Sequence, residues 1–313
     1  MINFWYYIKN YSRNALPSLY FKRNYHRLKK FEIECDQIEL NERLNYYFNV
    51  DNGFEIPESA VAVKDYRKTV GTFYFLDLKE FLHYFKLNTR FAYHFGDETH
   101  INSYPTLFKA RRINGENSNS VLFKLNKRRH FHFVTDESSF SKKKNMLVWR
   151  GSVVQPWHLD FVTKFLNHPL CDVGQGNRPP EDVPWQKKFL PIIEQLKYKI
   201  IFCIEGNDVA TNLKWVMSSN SLCMMPKPQY ETWFMEGLLK DKVHYVEVKN
   251  DYSDVEEKIK YYTTHDEEAE LIIANAQAHV KRFTNKSMED LLCIKVLEKY
   301  AQLSGQIEAR KFD

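Results

Sequence analysis

The sequence predicts an α/β fold of two lobes closed by a helical tail, and three features predict it. The first is length: 313 residues can bury a sizeable core and divide most naturally into two domains or one bilobal unit. The second lies between residues 199 and 225. A β-branched apolar run (199–204) leads through a polar turn into a helical pattern (209–218, apolar at Ala210, Leu213 and Met217), then into a second apolar run at 221–225. Strand, helix and strand in that order form a βαβ unit, the building block of a parallel sheet. The third is the tail, where S/T-x-x-E/D capping boxes at Ser253/Glu256, Thr264/Glu267 and Ser287/Asp290 open successive helices.

Element by element, residues 1–30 form a leader holding Lys9, Arg13, Lys22, Arg23, Arg27, Lys29 and Lys30 with no acid, preceded by Phe4, Trp5, Tyr6 and Tyr7. Such a segment suits an anionic membrane surface, and equally an N-terminal helix with a solvated face. Strand-like runs follow at 90–95, 121–125 and 146–150. Residues 114–120 read as a polar loop, 139–145 as a linker, and 174–184 as the most punctuated loop of the chain. A further strand at 244–248 precedes the helices, of which 269–283 and the segment from Met288 carry 3.6-residue apolar spacing. The boundaries expected are a first lobe 1–145, a second 146–285, and a helix 286–313 that packs back on the first.

Hydrophobic content of 43% with 27% charge excludes wholesale disorder. Aromatic content is high at 15%, which suits stacking on sugar or base rings and equally suits aromatic-rich packing. Net charge is +5, and setting aside the seven basic residues of the leader leaves the rest at −2. No apolar run is long enough for a signal peptide or a bilayer span. Five scattered cysteines without a C-x-x-C pair speak against a disulfide framework or a structural zinc site, and place the chain in a reducing compartment.

Three places could carry chemistry. The turn Glu205-Gly206-Asn207-Asp208-Val209-Ala210-Thr211 joins a strand to a helix start, where backbone N–H groups favour anions, with Lys214 one step beyond; an ordinary loop reads the same way. Arg150-Gly151 ends a strand, where an Arg can fork onto a diphosphate or simply pair with a carboxylate. Asp97, after Gly96 at another strand end, could be a general base or a turn former. Basic clusters at Arg111–Arg112 and at Lys127, Arg128, Arg129 and His130 could meet phosphate-bearing partners or be solvated faces, and no nucleic-acid module is visible. The chain has no D-x-D, no G-x-x-x-x-G-K-[ST], no G-x-S-x-G and no H-E-x-x-H.

From about Phe91 to Phe283 the chain resembles glycosyltransferase family 90, most closely its bacterial lipopolysaccharide core branch; fungal capsule-associated xylosyltransferases and animal protein O-glucosyltransferases are other members. The blocks that carry the resemblance occur in order: FAYHFGDE (91–98), YPTLFKARR (104–112), VLFKLNKRRHF (121–131), VWRGS (148–152), the segment 197–228, YETWFMEG (230–237), VHYVEV (243–248), then Asp251 and Asp254. The resemblance implies a GT-B architecture, two Rossmann-like lobes facing across a cleft. It implies an inverting transfer of a hexose, glucose or galactose, from a UDP-sugar without a metal or other cofactor, which agrees with the missing D-x-D. By the same resemblance Asp97 is the base, Arg150 with Gly151 holds the donor diphosphate, and Gly206, Asn207, Asp208, Val209, Ala210 and Thr211 form the phosphate-facing loop. Animal members carry a second Arg on the following helix; this chain has Asn212, two residues before Lys214, so Lys214 or the helix dipole would supply that charge.

The acceptor expected is a lipid-linked lipopolysaccharide or lipooligosaccharide core, reached from the cytoplasm by peripheral contact with the inner membrane. The chain carries neither a signal peptide nor the retention tail of the animal members. Lys109, Arg111, Arg112 and Arg129 are the candidates for acceptor contacts, and nucleic acid is not expected as a partner. A capsule polysaccharide or protein acceptor, or a non-catalytic protein on an anionic surface, are the other readings.

Overall fold

The computed structural model describes residues 2–306. Met1 and residues 307–313, the end of the expected tail helix, lie outside the described residues, as do the side chains of Phe4 and Trp5 in the leader. By compactness the chain forms two units, residues 1–128 with 284–313, and residues 129–283.

The first unit is mostly helical. Helices α1 (Ile2–Ser12), α2 (Ser18–Glu34) and α3 (Gln37–Tyr47) are followed by β1 (Val61–Ala62), α4 (Thr72–Leu82), β2 (Arg90–Phe91), β3 (Thr106–Phe108), β4 (Ala110–Arg112) and β5 (Ser120–Leu122). Asp36 caps α3, accepting from the backbone N–H of Ile38 and Glu39. Strands are short here: β1 pairs antiparallel with β2, and β3 lies parallel to β5. The strand expected over 90–95 is only two residues long and continues as a single bridge from Tyr93 to Leu107. The short helix α5 (Lys127–His130) ends this stretch.

The second unit carries the sheet. Strands β6 (Lys144–Gly151), β7 (Cys171–Gln175), β8 (Tyr198–Phe202), β9 (Leu222–Pro226) and β11 (Val246–Val248) form one parallel sheet in the order β11-β9-β8-β6-β7, while β10 (Tyr230–Thr232) lies outside it. Helices α6 (Pro156–Phe165), α7 (Ile192–Gln195), α8 (Leu213–Met217), α9 (Val255–Tyr262) and α10 (Asp266–Lys281) connect and cover these strands. The expected βαβ unit is present, β8 and β9 pairing in parallel with Ile201 opposite Cys223. Alternate residues Ile200, Phe202, Leu222, Met224, Val246 and Val248 share one core with Phe161 of α6 and Ile259 of α9. Phe161 stacks on Phe202 with ring centroids 4.2 Å apart. Ile201 and Cys223, on the opposite face, are buried as well, which is why these strands read as unbroken apolar runs rather than alternating ones.

Helix α11 (Lys286–Leu303) belongs to the first unit and packs on α2 and α3. Its Glu289 is buried between Arg43 Nη2 and Lys124 Nζ, each at 2.5 Å. The charges of the two cations outweigh the upward push of burial and hold the Glu289 carboxyl below the usual range.

Two expectations are corrected here. Residues 139–145 are not a linker: Phe140 is buried, and Lys143 Nζ donates to Asp136 Oδ2 at 2.7 Å just before β6 begins. The capping boxes are not formed either. Asn285, not Ser287, caps α11, accepting from the N–H of Ser287 (3.0 Å) and Met288 (3.2 Å). Thr264 Oγ1 donates back to the carbonyl of Tyr261, closing α9 instead of opening α10. Before α9, Asp251 Oδ1 accepts from Ser253 N–H and Oγ, and the helix starts only at Val255.

Candidate active site

The strand order places the reversal of connectivity between β6 and β8: from β6 the chain moves to β7 on one side, and from β8 to β9 and β11 on the other. Ligands of open α/β sheets bind at the carboxyl ends of strands beside such a point. The loops there are tied together. Gln155 Nε2 donates to Asn207 Oδ1 at 2.5 Å, and Trp157 Nε1 donates to the carbonyl of Glu205 at 2.7 Å. His158 Nε2 lies 2.9 Å from the same carbonyl. Pro156 at the first turn of α6, with its ring-fixed φ, starts the helix that carries Trp157 and His158.

Above the ends of β8, β9 and β11 lies a cavity of about 280 Å³ lined by Trp157, Glu205, Val209, Leu213, Tyr230 and Tyr252 among others. Its wall is apolar and aromatic, with few polar groups. Glu205 is the chief one: its carboxyl accepts from the backbone N–H of Gln229 (3.1 Å) and Tyr230 (3.2 Å). Burial outweighs those donors and pushes the Glu205 carboxyl up to about 8.

The residues expected in the donor-binding loop are placed as follows. Val209 and Ala210 line the cavity. Asp208 is buried, and its carbonyl accepts from the Gly206 N–H at 2.9 Å. Asn212 Nδ2 donates to the carbonyl of Phe202 at 2.9 Å, tying the loop to the end of β8. Thr211 is half-buried and Asn207 exposed. A Cβ on Gly206 would meet nothing within 4 Å. Helix α8 starts at Leu213, so residues 209–212 are turn rather than the first helical turn expected. Lys214 is fully buried against Glu236, which also accepts from Thr232 N–H at 2.6 Å and lines the cavity. Its charge is therefore already compensated, and it reaches the cavity through Glu236.

Arg150 ends β6 as expected but is already engaged. Nη2 donates to Asp172 Oδ1 at 2.6 Å, and Nη1 to the carbonyl of Asp172 at 2.7 Å. Burial alone would raise Asp172; Arg150, Tyr198 and Lys187 outweigh it and hold the carboxyl below the usual range. At Gly151 a Cβ would come within 2.6 Å of the Trp149 ring, so glycine is required by space.

Asp97 lies in the first unit, on the loop after β2. Its Oδ1 accepts from Tyr74 Oη at 3.0 Å and from the buried Lys109 ammonium, while its side chain stays 26% exposed. Tyr74 and Lys109 thus fix the carboxylate, which stays partly exposed. Of the residues expected to meet an acceptor, Lys109 is committed to Asp97, and Arg111 is buried, donating from Nη2 to the Tyr46 carbonyl at 2.8 Å. Arg112 and Arg129 are exposed. The 127–130 cluster is not a solvated basic face: Lys127 pairs with Glu80 at 2.5 Å, Arg128 lies over Phe73, and His130 is buried.

Sequence reasoning passed over Trp157, Tyr230, Glu236 and Tyr252, and took Glu205 only as the start of a polar turn. Trp157 was detectable, since it follows a strand that points at the reversal; Tyr230 at the start of β10 and Tyr252 on the loop after β11 reach the cavity with no period to read.

The family model for glycosyl transferase family 90 matches residues 125–310. The O-glucosyltransferase LpsA of Dichelobacter nodosus is 40% identical over 306 residues, covering 96% of each chain. The chain belongs to glycosyl transferase family 90.

Similarity extends further at lower identity. Protein O-glucosyltransferase 2 of Danio rerio is 29% identical over 172 residues, 52% of this chain and 34% of that protein. Protein O-glucosyltransferase 3 of Rattus norvegicus is 29% identical over 116 residues, 37% of this chain and 22% of that one. As a member of family 90 the chain is a glycosyltransferase and acts on a sugar donor and an acceptor. The matched stretch takes in the whole parallel sheet and its strand-end cavity, and leaves Asp97 outside it. Among the described residues, no helix is long and apolar enough to cross a membrane.

Proposed function

We propose that this family 90 member is an inverting GT-B transferase that moves a hexose from a UDP-sugar to a lipopolysaccharide or lipooligosaccharide core, without a metal. The observation that carries the reading is the aromatic-lined cavity at the carboxyl ends of β8, β9 and β11, with Arg150 at the end of neighbouring β6. A base ring and ribose fit a wall built from Trp157, Tyr230 and Tyr252, and a neutral Glu205 offers a hydroxyl without repelling phosphate. In this reading Arg150 exchanges Asp172 for the donor diphosphate, and the open side of Gly206 allows the donor close backbone approach. The name of the Dichelobacter relative favours glucose among hexoses.

Asp97 is the base in this reading. Inversion requires the acceptor oxygen to attack the anomeric carbon opposite the leaving UDP; Asp97 takes the hydroxyl proton as that bond forms, and Tyr74 and Lys109 hold it in place. The positive field of Arg150 stabilises the charge on the departing diphosphate. The core acceptor rests on the resemblance to the bacterial branch. Peripheral attachment at the inner membrane fits Lys9, Lys22, Arg23, Arg27 and Lys30, all exposed on α1 and α2 beside exposed Tyr11, Leu19 and Tyr20. A protein acceptor is the second reading, favoured by the names of the animal relatives.

The test is calorimetric titration with UDP, with and without EDTA, on the natural chain and on Arg150→Ala. Binding that ignores EDTA and weakens in the variant is expected. Absence of UDP binding under both conditions overturns the donor assignment.

A further inference from the structure

One group of side chains in the first unit takes no part in the chemistry above. Beyond β2, the backbone N–H of His94 donates to the carbonyl of Leu107 at 2.9 Å, which seats His94 beside β3. Gly96, at φ +136°, then turns the chain, and a Cβ there would press on Glu98 Cγ at 3.3 Å. The turn brings Glu98 and His100 back over His94. The two imidazole rings meet edge to face with centroids 4.6 Å apart, and both rest on the buried ring of Phe108. His100 Nδ1 lies 3.7 Å from Glu98 Oε2. One donor atom from each of the three residues falls within 4.8 Å of the other two.

We propose that His94, Glu98 and His100 form a binding site for a borderline divalent cation of the Zn²⁺ class. Two imidazole nitrogens and one carboxylate oxygen are a donor set that Zn²⁺ takes, leaving one position for water or an anionic oxygen. Around a tetrahedral zinc, such donor atoms stand roughly 3.4 Å apart, so the three close on an ion by side-chain rotation alone. Glu98 and His100 have the freedom for this, with side chains 55% and 43% exposed, and His94 on its Phe108 floor supplies the fixed point. Mg²⁺, which prefers oxygen ligands and retains its waters, does not suit two imidazoles. Asp97 is not a ligand, since Tyr74 and Lys109 hold it. An ion here joins residues 94 and 100 and so stiffens the loop that carries Asp97. The inference rests on the geometry of this loop and stands whether or not Asp97 is the base.

The experiment titrates the EDTA-stripped and desalted full chain with ZnCl₂ by calorimetry, with MgCl₂ as the second titrant. One equivalent of zinc and no heat from magnesium are expected. His100→Ala should weaken zinc binding tenfold or more, and His94→Ala/His100→Ala should abolish it, with metal-free thermal melts checking the fold. His100 is exposed enough that its variant keeps the test alive if His94→Ala fails to fold. No zinc uptake by the natural chain overturns the proposal. Equal uptake by the double variant also overturns it, by placing the metal on the cysteines or other histidines. UDP titration of the same samples should show no difference, which separates failure of this site from failure of the donor reading.

Discussion

Asp97, Arg150 and Glu205 each meet a specific partner, and that partner determines what substitution does. For Asp97→Asn the geometry with Tyr74 survives, because an amide oxygen can accept the same bond. Turnover should fall by about 10²–10⁴-fold, the usual contribution of a general base, while UDP binding is unchanged; radiolabelled sugar transfer measures the first and calorimetry the second. On the proposed donor reading, Arg150→Ala removes a charge-assisted contact to the diphosphate, and UDP affinity should drop by roughly ten- to a hundredfold. It also leaves the Asp172 carboxylate to Tyr198 and Lys187 alone, and a melt is needed to separate that loss of stability from the loss of affinity. Burial raises the Glu205 carboxyl. Its folded pKa of about 8 lies above the ordinary 4.5, so the folded chain keeps a proton that the unfolded chain releases between those values. Stability therefore falls as pH rises through that window. Glu205→Gln should flatten the decline of melting temperature from pH 5 to pH 8, and should keep UDP affinity constant above pH 8, where the natural chain acquires a negative charge in the cavity. Identical pH profiles for the two proteins would remove Glu205 from the donor site.

Elements follow from local rules until a tertiary partner overrides them. The strands at 199–204 and 221–225 were legible to within about two residues, because a sheet buried on both faces must be spelled in unbroken apolar residues. Capping boxes were not. Ser253, Thr264 and Ser287 sit at helix edges, yet Asn285 and the end of α9 take the roles assigned to Ser287 and Thr264, since several polar residues near a helix edge compete for the same N–H and carbonyl groups. Asn285→Ala should accordingly destabilise the chain by about 1 kcal/mol, read from urea unfolding, whereas Ser287→Ala should be near neutral. Lys214 reads as an available cation in the sequence and is a buried pair in the fold. Lys214→Ala leaves Glu236 buried without its partner, which costs about 3–5 kcal/mol and should lower the melting temperature sharply even with UDP absent.

At the scale of the whole molecule, charge is sorted rather than uniform: the leader's exposed Lys22, Arg23 and Lys30 stand among exposed Leu19 and Tyr20. Each basic residue contributes about 1 kcal/mol at an anionic surface, so changing these three to Gln should weaken binding to phosphatidylglycerol vesicles by roughly a hundredfold, and high salt should release the natural chain. Retention at high salt would point to apolar insertion instead. Sequence by itself determined the α/β class, the β8–β9 pairing and membership in family 90, because apolar period and ordered motifs are written along the chain. Tertiary structure alone decided that Lys109 serves Asp97, that Lys214 is neutralised by Glu236, and that Trp157, Tyr230 and Tyr252 face one cavity. Those facts join residues far apart in the chain, and distance in sequence carries no record of distance in space until the core has packed.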